Sequence, residues 1–119
     1  MAQPTTPAAG RLAMLAAVSG ALAVIAGAFG AHGASGAAQE WLRTGAQYQL
    51  VHAVAALVAL RSGWRMPAWL FVGGGAVFAA TLYLMALGLP HWLGAITPIG
   101  GAMMIAGWLS LAWSARPHR

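Results

Sequence analysis

The chain has 119 residues, room for one domain, and with 61% hydrophobic and 6% charged side chains it cannot build a water-facing surface. Its net charge of +5 comes from six Arg set against Glu40 alone, and the arginines stand singly or in pairs between long apolar runs. That pattern excludes a nucleic-acid partner and fits membrane flanks, while the absence of Cys excludes disulfides, thiolate chemistry and Cys-ligated metals.

Residues 1–10 are small and polar, with Pro4 and Pro7, and read as a flexible N-terminal tail. Arg11 marks a membrane boundary. Residues 12–31 carry no charge and are long enough to span a bilayer. Ala13, Ala16, Gly20, Ala23, Gly27 and Gly30 recur at steps of three and four, so one helix face is nearly bare and open to close helix contact. Arg11 and the small residues 31–34 also mimic a cleaved leader. The apolar run is longer than a leader core, however, and three further spans follow, so the segment is read as retained.

A glycine-rich turn at 32–36 places Ser35 as a cap for the second helix, residues 37–61. Its first turns, with Gln39, Glu40, Trp41 and Arg43, lie at an interface; the span itself covers about 44–61. A basic loop with Gly63 leads to Pro67, suited to a first helical turn, and to a third span over 68–88 with Gly73, Gly74 and Gly75 as a contact point. Gly88, Pro90 and His91 form a tight turn. The fourth span covers 92–113, with Thr97 as an internal cap, Pro98 at the first helical position and Gly100 and Gly101 open to close packing. A basic tail, 116–119, follows. His118 lies in it and is read as incidental.

The fold expected is therefore an all-α integral membrane four-helix bundle occupying 11–115. Arg11, Arg61, Arg65, Arg116 and Arg119 fall on one side and Arg43 on the other, which places both termini in the cytoplasm and argues against dual topology. Trp41 and Trp92 sit at the outer interface and Trp64, Trp69 and Trp113 at the inner, with Trp108 slightly deeper, as an aromatic belt.

Polar residues inside a membrane need a reason. Glu40, Thr44, Tyr48 and His52 are spaced by four and share a face in this reading, with Gln47 beside them. His52 lies about 12 Å along the helix from Thr44. His32 ends the first span, and Thr97 is a turn inside the fourth. These residues are the candidate polar cluster of the outer half. It is either a pocket for an ion, a proton or a head group, or a set of mutual hydrogen bonds that hold the helices in register, and the second reading is preferred. A buried His52 would bond Tyr48, Thr97 or a backbone carbonyl. His32, His52 and Glu40 would make a two-His-one-carboxylate set, but their spacing matches no compact metal motif, so no metal and no cofactor is expected. One Glu, with no Asp, Lys or Cys, rules out a paired-carboxylate mechanism within the chain, and Ser19 and Ser110 are placed far from the histidines. No catalytic residue is expected.

Three motifs then carry a resemblance. Gly27-Ala28-Phe29-Gly30-Ala31-His32-Gly33 ends the first span. Thr44-Gly45-Ala46-Gln47-Tyr48-Gln49-Leu50-Val51-His52-Ala53 lies in the second. Thr97-Pro98-Ile99-Gly100-Gly101, with Gly107-Trp108, forms the fourth. In this order, over nearly the whole chain after the first ten residues, they resemble the YgdD-like family, the domain of unknown function numbered four-two-three. The resemblance implies a small, multi-pass bacterial inner-membrane protein, with relatives in eukaryotes and no activity to carry over. His32, Tyr48 and His52 match its motif positions, whereas Gln47 stands where some relatives carry an acid.

Three functions compete. The leading one is a non-enzymatic structural or accessory membrane protein whose partners are lipids and, through the small-residue faces, a second copy or another protein. A small transporter or channel component built around His52 is the alternative. Small multidrug transporters share the length and helix count, but they depend on a carboxylate in the first span, which has none here. An enzyme acting on a lipid or quinone comes last.

Overall fold

The computed structural model describes residues 6–117, and within them the chain is all helical. Helix α1 spans Pro7–Gly33, α2 Gly36–Arg61, α3 Arg65–Ala86 and α4 Thr97–Ser114, and a 3₁₀ turn over His91–Ala95 leads into α4. His118 and Arg119 lie outside the described residues.

The local chemistry explains the boundaries and corrects several expectations. Helix α1 begins four residues before Arg11, inside the stretch expected to be a tail. Thr6 caps it, its hydroxyl accepting from the Ala9 N–H at 3.1 Å, and Pro7 follows with the fixed φ that a first turn requires. Ser35 does occupy the cap position of α2, but its side chain makes no capping bond. Pro67 falls in the first turn of α3, where its missing N–H has no helical partner to lose. Helix α3 stops at Ala86, two residues short of the expected end. The Leu87, Gly88 and Leu89 N–H groups fold back onto its last carbonyls, and Gly88 takes φ +99°, a value that favours glycine. Helix α4 starts after an irregular lead-in, as Pro98 implies, yet Ile96 is the cap residue and Thr97 does not cap with its side chain.

The four helices run up and down. Helix α2 packs against α1 and α3, and α3 carries α4. Among the described residues α1 and α4 share no packed face, so the four helices form an open row about two helices thick, 52 × 27 × 20 Å. At the end that bears Arg11, Arg61 and Arg65, here called the arginine end, Leu12, Ala16, Ala56, Ala59, Ala68 and Phe71 are fully buried together. At the far end Leu82, Met85 and Leu93 pack with Trp41, Phe78 and Ile96.

Small residues set how close the helices come. The bare face expected on α1 is turned to α2: Ala16, Ala23 and Gly30 are buried, and a Cβ on Gly30 would meet the Leu42 Cβ at 3.0 Å. Helices α3 and α4 meet backbone to backbone, with a Cβ on Gly74 only 2.9 Å from the Gly100 carbonyl oxygen.

Helices α1 and α3 and the stretch His91–Ser114 are each long and apolar enough to cross a membrane. Helix α2 has the length, with 26 residues, but a polar first half. The outward faces are apolar as well: Met14, Val18 and Ile25 on α1, Val51, Val54 and Val58 on α2, and Ile105 and Leu109 on α4 are all exposed. Contiguous apolar exposure of that kind is what hydrocarbon requires of a protein surface.

Candidate functional site: interhelical polar contacts

Three sets of polar contacts cross between helices, and all of them touch α2 or α3. The first joins three helices. Gln49 of α2 donates from Nε2 to Ser19 Oγ of α1 at 3.0 Å and accepts at Oε1 from the Tyr83 hydroxyl of α3 at 2.7 Å. Gln49 is 5% exposed and Ser19 7%, so the bond between them is buried, while the bond to Tyr83 is part-buried. A helical spacing of three and four puts these residues there: Leu12, Ala16, Ser19, Ala23 and Gly30 form one buried stripe on α1, and Leu42, Ala46, Gln49, Ala53 and Ala56 form its counterpart on α2. Gly45 makes room for Tyr83, because a Cβ there would sit 2.7 Å from the Tyr83 ring.

The second set centres on His52, which is 6% exposed. Its Nδ1 lies 2.6 Å from the Tyr48 carbonyl oxygen one turn earlier, and its Nε2 lies 3.0 Å from the Trp108 indole nitrogen of α4. A carbonyl can only accept and an indole N–H can only donate, so the partners assign the tautomer: Nδ1 carries the proton and Nε2 accepts. Phe71 and Trp108 pack on the ring with centroids at 5.6 and 5.8 Å. Phe71 stands about 9 Å along α3 from Arg65. His52 therefore sits in the half of the molecule nearer the arginine end, not in the far half where the sequence reading grouped it.

The third set lies at the far end. Thr81 and Thr97 hydroxyls are 2.6 Å apart across α3 and α4; one donates to the other, and the accepting hydroxyl is left to donate to a carbonyl of its own helix or lead-in, Val77 or Phe78 for Thr81 and Leu93 for Thr97. This is why Thr97 does not serve as a cap: its hydroxyl is engaged by α3 and by the Leu93 carbonyl. Thr97 is about 16 Å along α4 from the Trp108 that touches His52, so it is not a His52 partner.

The remaining members of the expected cluster are scattered. His32 is exposed at the end of α1. Glu40 is exposed and pairs with Arg43 at 3.5 Å on the surface of α2. Thr44 is half-buried and Gln47 exposed. Tyr48 is 47% exposed, its ring stacked beside His52 and tilted against Phe78 at 4.9 Å. Four-residue steps turn about 400°, an excess of about 40° each time, so the stripe from Glu40 to His52 winds by about 120°. It starts on the surface and ends in the interior. Gln49, Ser19, Tyr83, Thr81 and Trp108 were missed; the repeating small-residue stripe that contains Ser19 and Gln49 was the signal that could have found those two.

Among the described residues, every buried side-chain nitrogen and oxygen has a hydrogen-bond partner, and no group of three or more His, Cys, Asp or Glu could hold a metal ion. His32, His52 and Glu40 do not form a ligand set.

The family described as "Protein of unknown function (DUF423)" matches residues 26–101, a narrower stretch than the motifs suggested. The UPF0382 membrane protein of Haemophilus influenzae is 37% identical over 86 residues, 66% of this chain and 68% of that protein. The UPF0382 membrane protein SH2409 of Staphylococcus haemolyticus is 38% identical over 72 residues, covering 54% of this chain and 57% of its own length. The UPF0382 inner membrane protein YgdD of Escherichia coli K12 is 35% identical over 75 residues, or 57% of each chain. No solved structure matches. With three membrane-competent helices and a family match over residues 26–101, the chain belongs to the DUF423 family of uncharacterised membrane proteins.

Proposed function

We propose that this chain is a four-span protein of the bacterial inner membrane, with both termini in the cytoplasm, acting as a non-enzymatic structural or accessory component. The observation that carries this reading is where the polar atoms point. Ser19, Gln49, His52, Thr81 and Thr97 are taken up in bonds that join one helix to another. In a membrane such bonds are worth about 0.6 kcal/mol each, up to about 2 kcal/mol. A proton-carrying role for His52 would put a second N–H against the Trp108 donor and break that bond.

Helix α2 is read as a span alongside the other three because it lies between α1 and α3 with its buried residues running from Leu42 to Ala59. Arg11, Arg61, Arg65 and Arg116 gather at one end, which supports the cytoplasmic placement of that end. The E. coli relative is named an inner membrane protein, which supports that membrane.

Reporter fusions test the topology. A fluorescent protein on the C-terminus is expected to mature, and alkaline phosphatase there to stay inactive; the reverse pattern overturns the orientation. Proton flux in vesicles is expected to be equal for wild type and His52→Ala. Flux or turnover that depends on His32 or His52 would sink the non-enzymatic reading.

A further inference from the structure

Toward the end away from Arg11, α1 and α2 border a furrow of about 420 Å³. Small residues make its α1 wall, with Ala23, Gly27 and Ala31 at steps of four, and the exposed Val24 and Ala28 line it too. The α2 wall is polar at that end: Gln39, Arg43 and Gln47 line it, and Leu50 continues it as apolar surface. Two four-residue steps wind by only about 80°, so these three polar residues still face one furrow. None of them takes part in the bonds that join the helices, and Arg43 pairs with Glu40 in the open, at 3.5 Å.

We propose that this furrow binds one phospholipid whose head group carries a phosphodiester and a primary ammonium. The phosphate lies on Arg43, the ammonium on Glu40, an ester carbonyl on Gln47, and an acyl chain between Ala23 and Leu50. Charge selects the head group. A guanidinium offers five donors, and Glu40 meets one side of it, so a phosphate oxygen can be taken on the rest. The Arg43–Glu40 pair is neutral as a whole. A head group with one negative and one positive charge matches it charge for charge, whereas a purely anionic one faces the Glu40 carboxylate. An exposed ion pair is weakly held and gives way readily to a better-matched partner. Depth selects the lipid. Each four-residue step of α2 rises about 6 Å, and the head-group zone of a bilayer is about 5–8 Å deep on each side. With α2 entering the membrane near Thr44, Arg43 stands at head-group level. Gln47 stands one turn deeper, where its amide can donate to a glycerol ester carbonyl. Below Gln47 the walls turn apolar, and the small side chains of α1 leave width for a chain.

The inference deepens the accessory reading by naming a lipid partner, and it rests on that reading in taking α2 to be a span. Any membrane protein touches lipid, so selectivity is what marks a site. The test is native mass spectrometry of the full chain in mild detergent with equal amounts of phosphatidylethanolamine, phosphatidylcholine and phosphatidylglycerol of the same acyl chains. A one-lipid adduct is expected, with phosphatidylethanolamine favoured about fivefold or more. Phosphatidylcholine keeps the phosphate but has no N–H for Glu40, and phosphatidylglycerol has no cation. Arg43→Gln should lower the adduct about tenfold. Glu40→Gln should keep an adduct and abolish the preference over phosphatidylglycerol, a change that a merely structural Glu40 would not produce. Ala28→Phe narrows the furrow from an exposed position and should weaken retention of all three lipids about tenfold with an unchanged melting temperature. Equal retention of the three lipids by the wild type, or a phosphatidylethanolamine adduct unchanged by Arg43→Gln or Ala28→Phe, overturns the site. The topology fusions report separately: correct topology without lipid selectivity defeats this inference alone, whereas a reversed fusion pattern defeats the orientation whatever lipid is retained.

Discussion

Gly100 and Gly101 are neighbours in α4 with opposite surroundings. A Cβ on Gly100 would run into the backbone of α3, the Gly74 oxygen at 2.7 Å among it, while a Cβ on Gly101 meets nothing within 4 Å. Neither backbone can move away without opening the whole α3–α4 contact. Gly100→Ala is therefore expected to destabilise the protein by about 1–3 kcal/mol, the range for overpacking a tight interior. Gly101→Ala should be neutral, or stabilising by up to about 1 kcal/mol through helix propensity. Thermal unfolding in mild detergent decides it, and equal melting temperatures for the two variants would refute the close crossing. The same logic of contact over chemistry applies to His52. Both of its nitrogens are bonded, one to a carbonyl and one to an indole, and two aromatic rings pack on it. Its environment fixes one neutral tautomer, which suits a fastener better than a proton carrier.

At the scale of one element, α2 is the informative helix. It is polar over its first turns and carries Gln49 and His52 in its middle, yet its apolar residues Val51, Val54 and Val58 are turned outward. From Gln49 onward its polar residues face protein and its valines face out, the inverse of a helix on the surface of a soluble protein. Single cysteines are clean probes because the chain has none of its own. In intact cells and in inverted vesicles, Leu57→Cys is expected to resist a membrane-impermeant maleimide from both sides. Ser62→Cys should react from the cytoplasmic side and Ala37→Cys from the opposite one. Reaction of Leu57→Cys with the reagent from either side would mean that α2 is not a span.

Over the whole molecule the helices form a row in which α1 and α4 are the free edges. Gly20 on α1 faces Ala53 on α2, a Cβ on the glycine lying 3.9 Å from the Ala53 Cβ, within the range of about 3.5–4.5 Å that a disulfide needs. The pair Gly20→Cys, Ala53→Cys is expected to close into a disulfide within one chain on mild oxidation. Val18→Cys with Ile105→Cys, exposed residues on the two edge helices, should not close within a chain. Non-reducing electrophoresis separates the outcomes. An efficient intramolecular Val18–Ile105 bridge would show that the row closes into a ring after all, while a covalent dimer from the same pair would report a second copy against the free edges.

The sequence by itself determined that the chain is all-α and membrane-borne, where its helices lie to within a few residues, and which small-residue face of α1 would meet a neighbour. Composition, apolar run length and turn chemistry are local properties, and they need no partner to be read. It also contained the motifs of the family. Only the tertiary structure decided which polar residues meet. Glu40, Thr44, Tyr48 and His52 looked like one face at four-residue spacing, but the helix turns every 3.6 residues, so the stripe winds from surface to core and its members part. Gln49 was passed over within a recognised motif because what makes it matter, a bond to Ser19 thirty residues before it and another to Tyr83 thirty-four after it, depends on how three helices are rotated against one another. That rotation is set by side-chain packing across helices, here by Gly30, Gly45, Gly74 and Gly100, and no single helix records it. The same packing leaves α1 apart from α4 and opens the furrow beside Arg43, neither of which the spacing of residues along one chain could show.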